Sequence, residues 1–332
     1  MAFRPVWLAA GAGGGLEFGA MIIERPGIYD LSESEYHSDP CTAPSLSSSI
    51  AKLILTQSPI HAWMACPRLN SNWEPLNKKT FDIGRAAHRE ALGKGANWVT
   101  IPNDLLAANG AASTKTAKEF IENARANGKT PIKESEAESV RAISAKVNGR
   151  LREMGIALNP KCSEMAAFAR IDGIWCRCLV DNAPESHRAP LYDLKTTTDA
   201  NPETIARTIM SYGYDVQAQH YRETWKAATG EDRPFRFIFV EKEPPYEVCV
   251  VEIAGEDLMM AEKRIKRARE IFRDCLERDN WPGYPLEVVQ VKLPEFYQSR
   301  WLEREALEAD YMAQTGDDII NIGRSRLQMV GE

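Results

Sequence analysis

The sequence predicts an α/β protein with a central mixed β-sheet flanked by helices. Two observations carry this. Up to about Met154 the apolar residues recur mainly at helical spacing, and from Cys162 the period changes to short apolar-rich runs punctuated by Asp-Gly and Ala-Pro, the signature of strands joined by tight turns. Beyond Thr197 helical and strand-like segments alternate, which describes an α/β core rather than a bundle or a sandwich.

The elements follow in order. Residues Ile22 to Pro44 are rich in Pro, Ser, Asp and Gly and read as an extended arm. Regular structure is expected from Ser45, where serine caps precede Ile50, Leu53 and Ile54 at helical spacing and Pro59 closes the helix. A second helix carries Ile83, Ala87 and Leu92, and two more span Thr114 to Asn127 and Glu134 to Met154. Three strands are expected over Cys162 to Asp172, Ile174 to Asn182 and Pro190 to Thr197. Asn201-Pro202-Glu203 then opens a helix with an N-cap, a proline at the first helical position and an acid in the first turn. Helices over Pro202 to Ser211 and Tyr214 to Thr229, strands over Phe235 to Glu241 and Glu247 to Ile253, and a long helix from Glu256 to Asp279 complete the core.

The chain has 332 residues, 41 Lys plus Arg against 47 Asp plus Glu, a formal charge of -6 and 44% apolar residues. That composition excludes a disordered chain and a bulk polycation. It leaves nucleic acid open, because a binding face can be locally basic within an acidic average. Seven scattered cysteines without a Cys-x-x-Cys pair argue against a disulfide framework, a zinc ribbon or an iron–sulfur cluster. No apolar run approaches the roughly 20 residues that cross a bilayer, so a cytoplasmic protein is expected. The start imitates a secretory leader, but glycines between Gly11 and Gly15 interrupt its apolar stretch. It reads as a disordered extension, with Met21 as a second candidate start.

The chemistry centres on one strand. In Leu191-Tyr192-Asp193-Leu194-Lys195-Thr196-Thr197 the two-residue period puts Asp193 and Lys195 on one face. The preceding strand ends in Asp181, with Cys176, Cys178 and Val180 on its opposite face, and a hairpin can bring Asp181 beside Asp193. Two carboxylates and a lysine at a strand-end junction suit metal-assisted phosphodiester hydrolysis, with hard oxygens holding Mg²⁺ and the lysine orienting water or stabilising charge. From spacing alone the same residues also read as a turn aspartate and an exposed ion pair.

The surrounding order resolves that choice. Gly84-Arg85-Ala86-Ala87-His88 before, Asp181 and Asp193-Leu194-Lys195 at the centre, and Tyr214-Asp215-Val216-Gln217 through Tyr221 after resemble the PD-(D/E)XK nuclease superfamily, and within it the RecE-type exonucleases of phages and prophages, exodeoxyribonuclease VIII among them. The segment from Pro26 to Trp63 is similar to that family's opening segment, and the resemblance covers roughly Gly27 to Val291. It implies a PD-(D/E)XK core with Asp181 and Asp193 as metal-binding acids, Lys195 as the catalytic lysine and the Leu194 carbonyl as a further ligand. His88 matches the helix histidine at the metal site, and Glu164 is similar in position to an acid that some members supply. Gln217 and Tyr221 match a Gln-x-x-x-Tyr signature, and positions four apart share a helical face; the tyrosine reads equally as packing. Two departures stand out: Val180 replaces the proline, and Asp193 replaces a glutamate, which keeps the carboxylate.

The resemblance further implies a Mg²⁺-dependent exodeoxyribonuclease, with Mn²⁺ able to substitute. It would degrade one strand of linear double-stranded DNA 5′ to 3′ and leave 3′ overhangs for a single-strand annealing partner, as a ring-shaped homo-oligomer. A single-strand or endonucleolytic RecB-like repair nuclease and a non-catalytic DNA-binding module are the alternatives. The expected organisation is a flexible N-terminal extension and arm over 1–44, a nuclease domain over 45–292 and a helical tail over 293–332. Lys263, Arg264, Lys266, Arg267, Arg269 and Arg273 on the long helix form a candidate phosphate-binding face, with Arg141, Lys146, Arg150 and Arg152 as a second cluster. No phosphate loop and no nucleophile elbow occurs.

Overall fold

The computed structural model describes residues 21–73 and 82–316. The expected disordered extension and the end of the expected tail lie outside them. The chain divides into two compact units, Met1–Gly283 and Tyr284–Glu332.

The first unit opens with β1 (Gly27–Tyr29), α1 (Glu33–His37) and β2 (Ser45–Leu46). Helices α2 (Ser48–Thr56), α3 (Pro59–Ala65) and α4 (Asp82–Leu92) follow, then β3 (Trp98–Ile101), α5 (Lys115–Ala126), β4 (Thr130–Lys133) and α6 (Glu134–Glu153). Next come β5 (Ser163–Ile171), β6 (Ile174–Asn182) and β7 (Leu191–Thr197). The order ends α7 (Pro202–Tyr212), α8 (Tyr214–Thr229), β8 (Phe235–Glu241), β9 (Val248–Glu252) and α9 (Gly255–Arg278). In the second unit, α10 (Glu295–Thr315) starts after Pro294 and presents an exposed surface.

Among the described residues the main sheet has seven strands in the order β1-β5-β6-β7-β8-β9, with β2 beside β6. The β7–β8 and β2–β6 pairs are parallel and the others antiparallel, so the sheet is mixed. The β5–β6 hairpin turns on Asp172 and Gly173, both at positive φ (51° and 86°), the combination a two-residue type I′ turn needs.

Strand β8 is buried on both faces, and its alternation sorts the core. Phe235, Phe237 and Phe239 pack with Leu191, Tyr221 and Trp225 on the α7/α8 side. Ile238 and Val240 pack with Tyr192, Leu194, Ala87 and Ile143 on the α4/α6 side. Each fully buried phenylalanine contributes about 2 to 3 kcal/mol by removal from water. Val216 turns α8 toward a third cluster, with Leu46, Ile50, Ile265 and Phe272, which packs α2 and α9 against β2 and β6.

Two expectations need correction, and one strand pair is additional. Residues 22–44 are not a flexible arm: Ile23, Leu31, Tyr36 and Cys41 are buried with Phe168 and Trp175, β1 pairs with β5, and Ser32 and Glu35 close a capping box on α1. These elements are too short to show periodicity. Pro59 opens α3 rather than only closing α2, because a proline at the first helical position loses no intrahelical bond. The parallel pair β3–β4 joins strands far apart in sequence and has no local signature.

Candidate active site

Strands β6 and β7 pair at Asn182 and Tyr192 and then part. In the gap, the backbone N–H of Leu194 donates to Asp181 Oδ2 at 2.7 Å, so a carboxylate takes the place of a ladder carbonyl. The same oxygen lies 2.5 Å from His88 Nε2, carried by α4. Gly84 on that helix brings the backbone against Thr196: a Cβ there would stand 3.4 Å from its hydroxyl.

Asp193 and Lys195 share a face, as the strand period requires, and their Oδ1 and Nζ atoms are 2.5 Å apart. Gln217 Nε2 donates to Asp193 Oδ2 at 2.7 Å; Asp193 is 2% exposed and Gln217 5%, so this pair is fixed inside the protein. Val180 and Leu191 lie on the α8 side, whereas Asp181 turns to α4. The two aspartates therefore approach from opposite faces and meet through the gap, rather than side by side on one face.

Glu164 sits opposite Asp181, between the pairs Ser163–Asn182 and Met165–Val180. Its φ of 49° is strained for a non-glycine residue. Gly95, at φ 116°, makes room for its carboxylate: a Cβ there would come within 2.7 Å of Oε1. Tyr221 packs edge-on to Phe235, with ring centroids 5.6 Å apart. Its ring belongs to the core, and of the Gln-x-x-x-Tyr pair it is Gln217 that touches an acid.

Electrostatics couples these groups. Burial, and then the charge of Asp181, push Asp193 up to about 6, against the pull of Lys195. Burial also disfavours ionised Asp181, but His88, joined by Lys195 and the Leu194 N–H, outweighs it and holds the carboxyl below its usual range. Burial opposes the charge on His88, yet Asp181 keeps its pKa raised. Lys195 is raised despite burial by Asp193 and Asp181, so it is a persistent cation. Glu164 is raised, first by burial, with His88 working against the rise and Asp181 adding to it.

Among the described residues no three His, Cys, Asp or Glu side chains are gathered tightly enough to form a metal cluster. The expected ligands Asp181, Asp193, Glu164, His88 and Leu194 are neighbours, not a finished cage. Their chemistry fits a divalent cation nonetheless. Asp193 Oδ1 is buried with only the Lys195 ammonium beside it, and two mutually repelling carboxylates are relieved by a hard cation between them.

Residues 47–291 match the sequence profile described as a PDDEXK-like domain of unknown function (DUF3799). The chain belongs to this PDDEXK-like family. The PDDEXK-like fold is also that of a protein assigned as an exonuclease from Eubacterium rectale, with a TM-score of 0.54 and 13% identity over 80% of this chain and 97% of that one. A phage-related exonuclease from Haemophilus somnus 129PT aligns over 71% of this chain and 96% of its own, at 11% identity and a TM-score of 0.31. An alkaline exonuclease from Laribacter hongkongensis aligns over 61% and 97%, at 15% identity and a TM-score of 0.26. Only the first superposes closely enough to support the fold. No curated protein matches the sequence.

The expected basic face on α9 of this PDDEXK-like domain is largely committed elsewhere. Arg269 is buried between Asp172 and Glu223, Arg264 pairs with Asp215, Arg267 with Glu270, and Arg273 with Asp274 and Glu277. Lys263 and Lys266 stay exposed. In the second cluster, Lys146 and Arg150 pair with Glu247 and Arg141 lies over the Trp98 ring. One residue absent from the sequence candidates reaches the site: Lys52 of α2, whose Nζ is 5.6 Å from the centroid of Tyr214. Its signal was a lone lysine in an apolar helix with Ser48 and Thr56 four residues either side, and so no local acid to pair with.

Among the described residues no helix is long and apolar enough to cross a membrane.

Proposed function

We propose that this PDDEXK-like protein is a divalent-metal-dependent exodeoxyribonuclease that hydrolyses one strand of linear double-stranded DNA from its end. The observation that carries the reading is the meeting of Asp181, Asp193 and Lys195 where β6 and β7 part, on a fold shared with a protein assigned as an exonuclease.

In this reading Asp181 and Asp193 hold Mg²⁺, with Glu164, His88 and the Leu194 carbonyl beside them. When bound, the ion supplies Lewis-acid polarisation of a phosphoryl oxygen and lowers the pKa of water. Lys195, kept charged by its two acidic neighbours, orients the attacking water and offsets the negative charge that grows on the phosphoryl oxygens. Gln217 holds one oxygen of Asp193 and leaves the other toward the site. His88 holds Asp181 ionised and sets its orientation. The 5′ to 3′ direction, the 3′ overhang, the annealing partner and a ring-shaped homo-oligomer belong to the same proposal and rest on the RecE-type resemblance.

The test is degradation of blunt linear duplex, labelled separately at each end, in Mg²⁺ beside a circular duplex of the same sequence. Release of label from the 5′ ends with the circle intact is the expected result. Cutting of the circle points to an endonuclease, and binding of linear duplex without cutting points to a non-catalytic module.

A further inference from the structure

Lys52 is a cation in an unfavourable place. It is half-buried, and among the described residues no carboxylate stands within ion-pair distance of its ammonium, although Asp193 and Asp215 lie in its electrostatic field. Asp215 is engaged by Arg264 through Oδ2, its Oδ1 being buried without a hydrogen bond and without contact to Lys52, and Asp193 is engaged by Lys195 and Gln217. A second cation, Lys195, is close enough to repel it, and burial with that repulsion pushes Lys52 down to about 8. An uncompensated charge taken out of water destabilises a fold unless something supplies the opposite charge.

The position is nevertheless built. Gly213 joins α7 to α8 at φ 62°, and a Cβ there would lie 2.9 Å from Lys52 Cδ and 3.3 Å from Cγ. The missing side chain lets the lysine stem cross the helix junction to Tyr214. That ring carries Lys52 Nζ at 5.6 Å and Lys195 Nζ at 5.1 Å from its centroid, so one aromatic ring spaces two ammonium groups. Tyr212, 64% exposed, stacks on Tyr214 with centroids 5.6 Å apart and an 18° interplanar angle, which continues the corner to the surface.

We propose that Lys52 is a positioning residue for the DNA strand: its ammonium binds a non-bridging oxygen of an internal phosphodiester next to the scissile one. The inference rests on the nuclease reading of the Asp181, Asp193 and Lys195 site. Phosphate supplies the counter-charge the fold withholds, and the two lysines, set apart by Tyr214, hold successive phosphates in register with the acids. The aliphatic stem against Gly213 limits where the ammonium can go, so binding orders it at small entropic cost.

The full-length chain carrying Lys52→Ala and Lys52→Arg tests this. Expected for Lys52→Ala is a KM for linear duplex raised about tenfold with kcat little changed, the loss of one charged hydrogen bond to phosphate. In EDTA, where binding is measured without cutting, the slope of log affinity against log salt falls by about 0.9 for duplex. Lys52→Arg restores most of both. The melting temperature of Lys52→Ala falls little, since no ion pair is lost and the contacts given up are the face of Tyr214 and the packing of the stem on Gly213. An unchanged KM and salt slope overturns the proposal, as does a lower melting temperature with an unchanged slope, which marks a structural residue. A loss confined to duplex with 5′-phosphate and absent with 5′-hydroxyl ends also overturns it, because the contact is then with a terminal phosphate. A wild-type chain that binds duplex without cutting it sinks the nuclease reading, while the salt slope still judges Lys52.

Discussion

The side-chain amide of Gln217 donates to Asp193 Oδ2 at 2.7 Å, joining α8 to β7 inside the protein. Gln217→Leu leaves a buried carboxylate oxygen without its donor. It is expected to lower stability by about 1 to 3 kcal/mol and kcat by about 10- to 100-fold, as for other residues that orient a metal-binding group. Gln217→Glu, which sets a second acid against Asp193, should be worse in both respects. Denaturant unfolding and duplex cleavage measure the two effects. A Gln217→Leu protein as stable and active as wild type would show that Asp193 is oriented by other contacts.

Asp193→Ala and Lys195→Ala are each expected to cut linear duplex about 10²- to 10³-fold more slowly or worse, with little change in DNA affinity measured in EDTA. Binding persists because neither residue alone carries the phosphate contacts along the duplex. Undiminished cutting by both variants would place the chemistry elsewhere in the chain.

The pH dependence of the metal-free protein has a definite sign. Asp193 is raised from 3.8 to about 6, so the folded state binds its proton more tightly. The stability it contributes is fully present below pH 3.8 and is lost as the pH rises through about 6. His88, raised above 6.5, acts in the same direction at higher pH. Asp181, lowered below 3.8, contributes stability above that pH that is lost on acidification through its folded value. Stability without metal should therefore decline as the pH rises from 3.8 through about 6, and the rise in melting temperature on adding Mg²⁺ should be larger at about pH 7 than at about pH 5, because the ion competes with a proton for Asp193. Thermal melts at both pH values, with Asp193→Ala as control, decide the matter. An equal Mg²⁺ shift at both, or a shift that survives in the control, would remove Asp193 from the metal site.

Arg269 separates a structural cation from a DNA-binding one. Its Nε lies 2.7 Å from Asp172 Oδ2, and its other end meets Glu223. Arg269→Ala removes a buried cation from between two solvent-reached carboxylates, Asp172 and Glu223, and should cost about 1 to 3 kcal/mol without changing the salt dependence of DNA binding. Lys263→Ala with Lys266→Ala should leave stability within about 0.5 kcal/mol. Comparison of urea unfolding with salt titrations of binding tells them apart; a lower salt slope in Arg269→Ala at unchanged stability would restore the basic-face reading for that residue.

What the sequence by itself determined is what depends on near neighbours. The strands from Cys162 to Thr197 and the helices from Pro202 to Thr229 lie within a residue or two of their observed bounds, because alternation, Asp-Gly turns and proline-led caps act over a few residues. The same period put Asp193 and Lys195 on one face. Asp181, Gln217 and His88 were legible as residues through the resemblance, but not as contacts.

Only the tertiary structure decided the contacts. It brought Asp181 through from the opposite face, where β7 leaves β6 and stays paired along its length with β8, a strand some forty residues on. It folded the segment after Ile22 into the core, where β1 and α1 are held by Phe168 and Trp175 rather than by their own periodicity. It turned Arg269 inward to Asp172 and Glu223, and it carried Lys52 to Tyr214 through the space left by Gly213. Local sequence sets which way a side chain leaves the backbone, and it paired Asp193 with Lys195; Asp181, His88, Gln217, Arg269 and Lys52 meet their partners through chain that returns from far away.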